Sequence, residues 1–449
     1  MTPAPGPKKD FASLSAIDPV ALGGDIYGLV RELYPFCRSI TGDGVRSTLV
    51  RLRRGIPLEM HEVPSGTRVF DWTVPREWNI RDAWVKNARG ERVIDFQRHN
   101  LHVVSYSVPV RARMRLDPLR AHLHSLPEQP DLIPYRTSYY KEDWGFCLAH
   151  RDLEQLADEE YEVCIDATLQ DGHLTYGECV VPGATRQEVL VSCHVCHPSL
   201  CDDNLSGVAV AAFLARHLAR VRLRHTYRFV FVPGTIGAIT WLSRNEEQAR
   251  AIAHGLVLTC IGDRAGFTYK QSRRGDAPID RAVAYVLQQS GQGHTIEPFS
   301  PYGYDERQYC SPGFNLPVGC LMRSPHGRFP QYHTSGDNLA FVAPDALAAS
   351  FLTLLSVFDV LEHDRRYVNL NPKCEPQLGK RGLYAGVGGI GIHDLQMAML
   401  WVLNLSDGQW GLLEIARRSG LAFATVKRAA DLLLQHGLLA PDEEGWVLP

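Results

Sequence analysis

Short apolar runs alternate with helical patterns between residues 188 and 289, and this alternation constrains the fold more than any other feature of the chain. The predicted elements are, in order, a strand at 188–192, a helix at 205–219, a strand at 227–232, a helix at 238–245, a strand at 255–261 and a helix at 280–289. Alternation of this kind is typical of an α/β fold with a mostly parallel sheet flanked by helices. Ligands of such folds bind beyond the carboxyl ends of the strands, so we expect the chemistry in the loops after the three strands.

The rest of the chain changes pattern at several points, which predicts more than one domain. Residues 21–58 have helical periodicity, and residues 59–110 consist of short strand and turn signals. Helical stretches at 393–405, 411–418 and 422–436, with a short strand at 446–448, are typical of a winged helix-turn-helix. The predicted division is an α/β domain at 1–58 and 111–370, an inserted β-rich domain at 59–110, a linker at 371–391 and a winged helix-turn-helix at 392–449.

The composition is that of a water-soluble globular protein, with 45% hydrophobic and 22% charged residues among 449. A net charge of −3 gives no overall field that would gather nucleic acid. The first ten residues lack the apolar core of a secretory signal, and the longest apolar run, Val208 to Ala215, is too short to span a membrane. Eleven scattered cysteines fit a reduced protein. We therefore predict a cytoplasmic protein without a transmembrane helix.

The loop that follows the first predicted strand carries residue types that bind metals. A catalytic zinc ion takes about three protein ligands and leaves one position open for water. His197 and Asp203 are six residues apart, and the loop can aim both side chains at one point. On the residues alone a second interpretation stays open, in which His197 caps a strand and Asp203 begins a helix. Cys193, Cys196 and Cys201 are likewise either buried thiols or metal ligands.

The segment Asp203-Asn204-Leu205-Ser206-Gly207 resembles the loop of zinc-dependent aminopeptidases, in which the Asp bridges two metal ions. The resemblance implies that Asp203 is a ligand and that His333, within Tyr332-His333-Thr334-Ser335-Gly336-Asp337, is another. Asp337 would then orient the second nitrogen of His333, as ligand histidines usually require. The implied metal set consists of His197, Asp203 and His333, with Asp263 as an additional ligand and His194 as a substitute for His197.

Over nearly its whole length the chain also resembles a bacterial group of aminopeptidase-like proteins with an inserted β-domain and a winged-helix tail. This resemblance implies a zinc-exopeptidase-like sheet. The stretches that carry it are Phe36-Cys37-Arg38-Ser39-Ile40-Thr41-Gly42, Pro64-Ser65-Gly66-Thr67, Phe70-Asp71-Trp72, Asn100-Leu101-His102, Tyr135-Arg136-Thr137-Ser138-Tyr139-Tyr140, Trp144-Gly145-Phe146-Cys147, Tyr269-Lys270-Gln271-Ser272-Arg273 and Tyr304-Asp305-Glu306-Arg307-Gln308-Tyr309.

The chain departs from the well-studied zinc aminopeptidases where those enzymes carry adjacent glutamates, one a general base and one a ligand of a second metal ion. Gly234 and Thr235 stand at this position. We therefore predict one zinc ion rather than two. A single zinc ion still lowers the pKa of bound water to about 7. A proton acceptor is also needed, for which we name Glu306 first and Asp305 next, although the two could instead form a surface ion pair.

Basic residues lie in loops near the predicted mouth of the site. A guanidinium group can hold a carboxylate through two parallel hydrogen bonds. We predict substrate contacts from Arg307, Lys270 and Arg273, and from Tyr304 in the same segment as Arg307. Basic side chains in loops are also common on solvated faces, and this alternative stays open.

The function that these predictions support is zinc-dependent hydrolysis of an amide bond in a small peptide or an aminoacyl conjugate. One alternative is a ligand-binding regulatory protein that has lost its base. Another is an acyl transferase, because glutaminyl cyclases use a related scaffold. Basic residues at 417–418 and 427–428 of the tail are offset by acidic residues at 442–444, which argues against nucleic acid as a partner. We expect the tail to dock or to form a homo-oligomer.

Overall fold

The computed structural model describes residues 17–383 and 392–442, and it separates into two units, 1–354 and 355–449. Its helices are α1 (Pro19–Leu33), α2 (Asp43–Arg53), α3 (Leu116–Arg120), α4 (His150–Glu154), α5 (Gly207–Leu218), α6 (Ile236–Arg244), α7 (Glu246–Ala249), α8 (Pro278–Gln289), α9 (Glu306–Tyr309), α10 (Pro344–His363), α11 (Ile392–Leu405), α12 (Leu412–Ser419) and α13 (Phe423–Gln435). A π-helical turn, Cys201–Ser206, leads directly into α5.

The strands form one large sheet and several small ones. They are β1 (Glu59–Pro64), β2 (Arg68–Val69), β3 (Trp72–Thr73), β4 (Glu77–Lys86), β5 (Arg92–Asp95), β6 (Val110–Arg115), β7 (Leu123–His124), β8 (Phe146–Cys147), β9 (Glu160–Gln170), β10 (His173–Val181), β11 (Glu188–His194), β12 (Thr226–Val232), β13 (Ile252–Leu258), β14 (Phe267–Lys270), β15 (His294–Glu297), β16 (Val318–Met322), β17 (Arg366–Asn369), β18 (Asp407–Gly411) and β19 (Leu439–Pro441).

The large sheet has eight strands in the order β1-β10-β12-β11-β13-β16-β14-β15. Its centre is parallel, because β11 pairs in parallel with β12 and β13, and β13 pairs in parallel with β16. Every residue of β11 is buried, as expected for a central strand covered on both faces. The predicted α/β fold is confirmed, and the carboxyl ends of β11, β12 and β13 meet at one edge of the sheet.

The inserted β unit differs from the predicted segment 59–110 at both ends. Its four strands have the order β5-β4-β9-β6, so β9, at residues 160–170, belongs to it. Strand β1 instead pairs with β10 in the large sheet. The boundary was wrong because an apolar strand pattern shows that a segment is a strand but not which distant strand it pairs with.

The second unit contains the predicted winged helix-turn-helix elements. Helices α11, α12 and α13 match the predicted helices to within one or two residues. The unit also includes β17, at residues 366–369, which pairs antiparallel with β18 and β19. The module therefore begins before the predicted start at residue 392. The predicted strand at 446–448, and residues 384–391 of the predicted linker, lie outside the described residues.

One helix of the described residues, α10, is long and apolar enough to cross a membrane by length and composition. Sixty-seven per cent of its most apolar stretch is buried inside the structure. The core helix of a water-soluble protein passes the same test. The prediction of no transmembrane helix rested on the longest uninterrupted apolar run, and the apolar residues of α10 are interrupted by Ser, Thr and Asp.

Candidate metal centre

Two histidines and an aspartate converge beyond the carboxyl end of β11. The ligand atoms of His194, His197 and Asp203 all lie within 4.8 Å of one another. Nε2 of His194 is 2.8 Å from Oδ1 of Asp203 and 3.1 Å from Nδ1 of His197. Two ligand nitrogens on one tetrahedral zinc ion are about 3.3 Å apart, since each Zn–N bond is about 2.05 Å long. The donor set and its spacing therefore fit a zinc ion.

A third histidine, His333, reaches the same carboxylate from a distant loop. Its Nε2 lies 3.0 Å from Oδ2 of Asp203. Neither of these two buried atoms has a hydrogen-bond partner among the residues described. Unpartnered buried polar atoms are uncommon in folded proteins, and a shared metal ion explains both of these. The structure thus brings together four of the five predicted ligands, with His194 and His197 both present rather than as substitutes.

The directions of the pKa shifts of Asp203 and His333 suit metal binding, which requires a carboxylate and neutral imidazoles. Burial opposes ionisation of Asp203, but the neighbouring His197 and His194 hold its pKa well below the usual value. Burial lowers the pKa of His333, against the raising effect of Asp203. Asp203 is therefore an anion and His333 is neutral near neutral pH.

Asp337 holds the backbone of the ligand loop. Its carboxylate accepts hydrogen bonds from the backbone N–H groups of Cys201 at 3.1 Å, Asp202 at 2.6 Å and Asp203 at 2.9 Å. The prediction that it orients His333 was therefore wrong. A carboxylate can accept several hydrogen bonds, and the three buried backbone donors at the start of the helical turn are its partners here.

Arg38 is a positioning residue that the sequence analysis quoted without assigning it a role. It is almost completely buried. Its Nε donates to the carbonyl of His197 at 2.8 Å, and one Nη donates to the carbonyl of Leu33 at 2.7 Å. Burial lowers its pKa to about 10, so it remains charged at neutral pH. The guanidinium therefore fixes the main chain of a metal ligand against α1.

Tyrosine rings form the walls of the centre. Tyr304 stacks on His194 with ring centroids 4.5 Å apart, and Tyr332 stacks on His333 at 3.9 Å. Tyr135 meets His197 and His333 edge-on, each at 5.1 Å. The predicted contact residue Tyr304 is thus beside the metal group. The rings restrict the orientation of the imidazoles and limit the access of water.

The two predicted proton acceptors have different surroundings. Glu306 is fully buried and forms an ion pair with Lys270. Lys270 also donates to the carbonyls of Tyr302 at 2.7 Å and Ser300 at 3.2 Å, so all its donors are engaged. The predicted substrate contact from Lys270 is therefore wrong, because a buried ammonium group needs these partners to compensate for its lost hydration.

We expect Glu306→Gln to lower the free energy of unfolding by about 3–5 kcal/mol, because it leaves the Lys270 ammonium buried without a counter-charge. The matched double variant Lys270→Met/Glu306→Gln removes both charges and should recover most of this loss. Urea unfolding of the three proteins measures the effect. A single variant that unfolds at the same urea concentration as the unmodified protein would contradict a structural role for this pair.

Asp305 lies near His194 of the candidate metal group, with Gly234 between them. Its carboxylate oxygens are buried and have no hydrogen-bond partner in the described part of the chain. A Cβ atom added to Gly234 would lie 3.7 Å from Oδ1 of Asp305 and 3.0 Å from Cβ of His194. The glycine therefore leaves little space for a side chain, and Asp305 borders the place where related enzymes carry a glutamate.

The pKa of Asp305 is raised to about 8, first by burial and then by the charge of Glu306. Its usual pKa is about 3.9 in an unfolded chain. The folded state thus favours the neutral carboxyl group. The contribution of this group to the free energy of unfolding is fully present below about pH 4 and is lost as the pH rises through 8. We expect the stability difference between the unmodified protein and Asp305→Asn to decrease from pH 5 to pH 9 in urea unfolding. A constant difference would contradict the raised pKa.

Other predicted residues have different positions from those expected. Asp263 accepts from the N–H groups of Ala265 at 2.5 Å and Ser324 at 3.1 Å, and it is not part of the metal group. Arg273 is exposed and donates to Oδ1 of Asn315 at 3.0 Å. Arg307 is half-buried next to Asp305, and its Nε has no partner among the described residues.

The clustered cysteines are buried thiols, which is one of the two alternatives that the sequence left open. Sγ of Cys193 donates to the carbonyl of Gly207 at 3.4 Å, and Sγ of Cys196 donates to that of Gly234 at 3.8 Å. Burial raises the pKa of Cys196 to about 12, so its thiol is protonated at neutral pH. These are buried thiols outside the metal group, and all eleven cysteines of the chain are free.

Comparisons with known proteins agree with this architecture. A protein of Clostridium acetobutylicum, named provisionally for polysaccharide biosynthesis and for an aminopeptidase-like domain, is 54% identical over 418 residues, which are 93% of this chain and 96% of that protein. A crystal structure from Clostridium acetobutylicum, described provisionally as that of a peptidase, is 53% identical, with a TM-score of 0.90 over 94% of this chain and 97% of that one.

A zinc aminopeptidase from Bacillus subtilis shares the fold at 11% identity, with a TM-score of 0.56 over 76% of this chain and 94% of that one. The likeness confirms an aminopeptidase-like α/β fold. A protein-family model of the winged helix-turn-helix matches residues 365–441. A protein-family model described as a domain of unknown function (DUF4910) matches residues 27–364, which are most of the chain. The chain therefore belongs to the DUF4910 family, with a winged helix-turn-helix after the family domain.

Proposed function

We propose that this protein is a zinc-dependent hydrolase that cleaves an amide bond in a small peptide or an aminoacyl conjugate. The observation that carries the proposal is the convergence of His194, His197 and Asp203, with His333 3.0 Å from the same aspartate. Zinc bound there would activate water and polarise a carbonyl group. The described residues contain one such group of metal-binding side chains, and position 234 is a glycine rather than a glutamate. Both observations favour one ion over two.

Asp305 is the better candidate for the proton acceptor. Glu306 forms an ion pair with Lys270, whereas the carboxylate of Asp305 has neither an ion pair nor a hydrogen bond among the described residues, and its Oδ1 borders Gly234, which lies against His194. A group whose pKa is about 8 is a stronger base than an ordinary carboxylate once it is ionised. The rate of hydrolysis should therefore rise as the pH approaches 8. Tyr304 and Tyr332 would position the substrate against the ligands on which they stack.

The aminoacyl conjugate is favoured over a long peptide by the name of the Clostridium acetobutylicum relative, which refers to polysaccharide biosynthesis. Substrates that join an amino acid or an acyl group to a sugar amine have the amide bond that the proposal requires. Half-buried Arg307, next to Asp305, could hold a carboxylate of such a substrate.

The proposal is tested by hydrolysis assays with zinc-loaded protein. The substrates are aminoacyl p-nitroanilides, dipeptides and N-aminoacyl glucosamine, and the products are identified by mass spectrometry. We expect release of a free amine, with no turnover by His194→Ala. Asp305→Asn should lose most of the activity, while Lys270→Met/Glu306→Gln should keep more of it. Zinc-loaded protein that hydrolyses none of these substrates would contradict the proposal.

A second candidate is a regulatory protein that binds a ligand in this fold. The glycine at position 234, in place of a glutamate, is the observation that favours it. Purified protein that contains no zinc and binds a specific DNA sequence through its winged helix-turn-helix would support this candidate over the hydrolase.

A further inference from the structure

Three exposed aromatic side chains, Phe70, Trp72 and Tyr140, and the half-buried Phe314 form two ring pairs, here together called the aromatic platform. Trp72 and Tyr140 meet edge-to-face with ring centroids 5.5 Å apart, and Phe70 and Phe314 do so at 5.9 Å. Phe70, Trp72 and Tyr140 are 43%, 44% and 54% exposed, although apolar rings of this size are normally buried. Phe70 and Trp72 belong to one short hairpin, so each ring pair contains a residue of that hairpin.

Two of these rings occupy backbone positions that favour glycine. Phe70 has a φ of +54° in the two-residue turn between the paired residues Val69 and Trp72. Glycine is preferred at positions of positive φ in such hairpin turns. Tyr140 has a φ of +63° in the turn that the N–H of Lys141 closes onto the carbonyl of Ser138. Strain of this kind persists mainly where function requires it, and here it accompanies exposed rings.

Polar groups flank the platform. Asn315, next to Phe314, accepts a hydrogen bond from Arg273 at 3.0 Å through Oδ1 and one from Arg274 at 2.9 Å through its carbonyl. Arg76, four residues after Trp72, pairs with Glu142, two residues after Tyr140. Guanidinium and amide groups beside flat rings can bond the hydroxyl groups of a ligand whose apolar face lies on the rings.

The platform is connected to the metal centre through consecutive tyrosines. Tyr139 precedes Tyr140, and its hydroxyl lies 2.9 Å from that of Tyr135. Tyr135 contacts the ligands His197 and His333. A ligand on the platform would thus lie on the tyrosine-lined side of the candidate active site.

We propose that the aromatic platform binds a carbohydrate chain. A pyranose ring has one apolar face of C–H groups, which stacks on an aromatic ring, and a rim of hydroxyl groups, which needs polar partners. The platform offers both. A protein partner fits less well, because a stable interface buries about 800 Å² on each side, whereas the three exposed rings, of roughly 200 Å² each, are only 43%, 44% and 54% exposed. The binding does not require zinc, so the inference goes beyond the proposed hydrolysis.

The test is isothermal titration of the full chain with chitotetraose, maltotetraose and tetragalacturonate, before and after removal of metal. We expect binding of at least one oligosaccharide, unchanged by metal removal. The variant Phe70→Gly/Tyr140→Gly removes two rings and relieves both turns. It should bind about tenfold more weakly or worse, with a denaturation temperature no lower than that of the unmodified protein.

Cys374→Gly is the matched control, because Cys374 is also exposed and has a positive φ of +64°, but belongs to the other unit. It should bind the oligosaccharide as the unmodified protein does. The proposal is overturned if none of the three oligosaccharides binds, or if the double glycine variant binds as well as the control. It is also overturned if light scattering shows that the unmodified protein is a dimer and the double glycine variant is a monomer, since the platform is then a protein interface.

Discussion

Asp203→Ala is expected to purify without zinc, whereas the unmodified protein should contain about one equivalent. Asp203 is the one side chain that contacts all three histidines of the centre, at 2.8 Å from His194, 3.0 Å from His333 and 3.5 Å from His197. Loss of an outer partner of a metal ligand costs 10–100-fold in affinity, and loss of a ligand should cost on the order of 100-fold or more. Elemental analysis of dialysed protein measures the zinc content.

Asp202→Asn is the matched control for this prediction. Asp202 is the neighbouring buried aspartate, and its Oδ1 accepts from the N–H of Gly262 at 2.7 Å, a bond that the asparagine oxygen can keep. This variant should retain zinc. Two equivalents of zinc in the unmodified protein would contradict the single-ion centre, and full zinc content in Asp203→Ala would remove Asp203 from it.

Asp337→Ala should destabilise the protein and weaken the metal centre together. Removal of the carboxylate leaves the N–H groups of Asp202 and Asp203 buried without their acceptor, whereas the N–H of Cys201 still donates to the backbone carbonyl of residue 337 at 3.1 Å. Each of these two donors costs about 1–3 kcal/mol, so we expect the free energy of unfolding to fall by about 2–6 kcal/mol. Zinc affinity should fall about 10–100-fold, because Asp337 holds the backbone of a ligand. Urea unfolding and competition with a zinc chelator measure the two effects.

Asp337→Asn separates the geometry from the charge. Its side-chain oxygen can still accept from part of this set of donors, so both losses should be smaller than for alanine. Equal losses in the two variants would indicate that the negative charge matters more than the acceptor geometry. A loss below 1 kcal/mol in the alanine variant would contradict the anchoring role.

Local sequence signals were sufficient for much of the fold. The continuous apolar runs that became β11, β12 and β13 predict buried strands wherever they pair, and the helices between them carry their own periodicity. Pairing partners are set by contacts between distant residues, and no local pattern encodes them. For this reason β1 was placed in the wrong sheet, and β17 was separated from the winged helix-turn-helix to which it pairs.

The candidate centre was predictable where its residues share one loop. His194, His197 and Asp203 lie within ten residues, and His333 was found through a resemblance. Asp263 was misplaced because its charge suggested a ligand, while its carboxylate bonds to backbone N–H groups of two loops. Arg38 and Tyr135 were missed as parts of the site because their contacts cross more than sixty residues. The cytoplasmic location stays a prediction.

The bond between Asp337 and the backbone of Asp203 joins residues 134 positions apart, and this separation orders the events of biosynthesis. The ribosome makes the loop of His197 and Asp203 long before it makes His333 and Asp337. Until residue 337 has left the ribosome, the loop lacks both its third histidine and the carboxylate that holds its backbone. The candidate centre is therefore complete only when more than three quarters of the chain has been synthesised, and a nascent chain exposes no complete site to compete for metal ions before then.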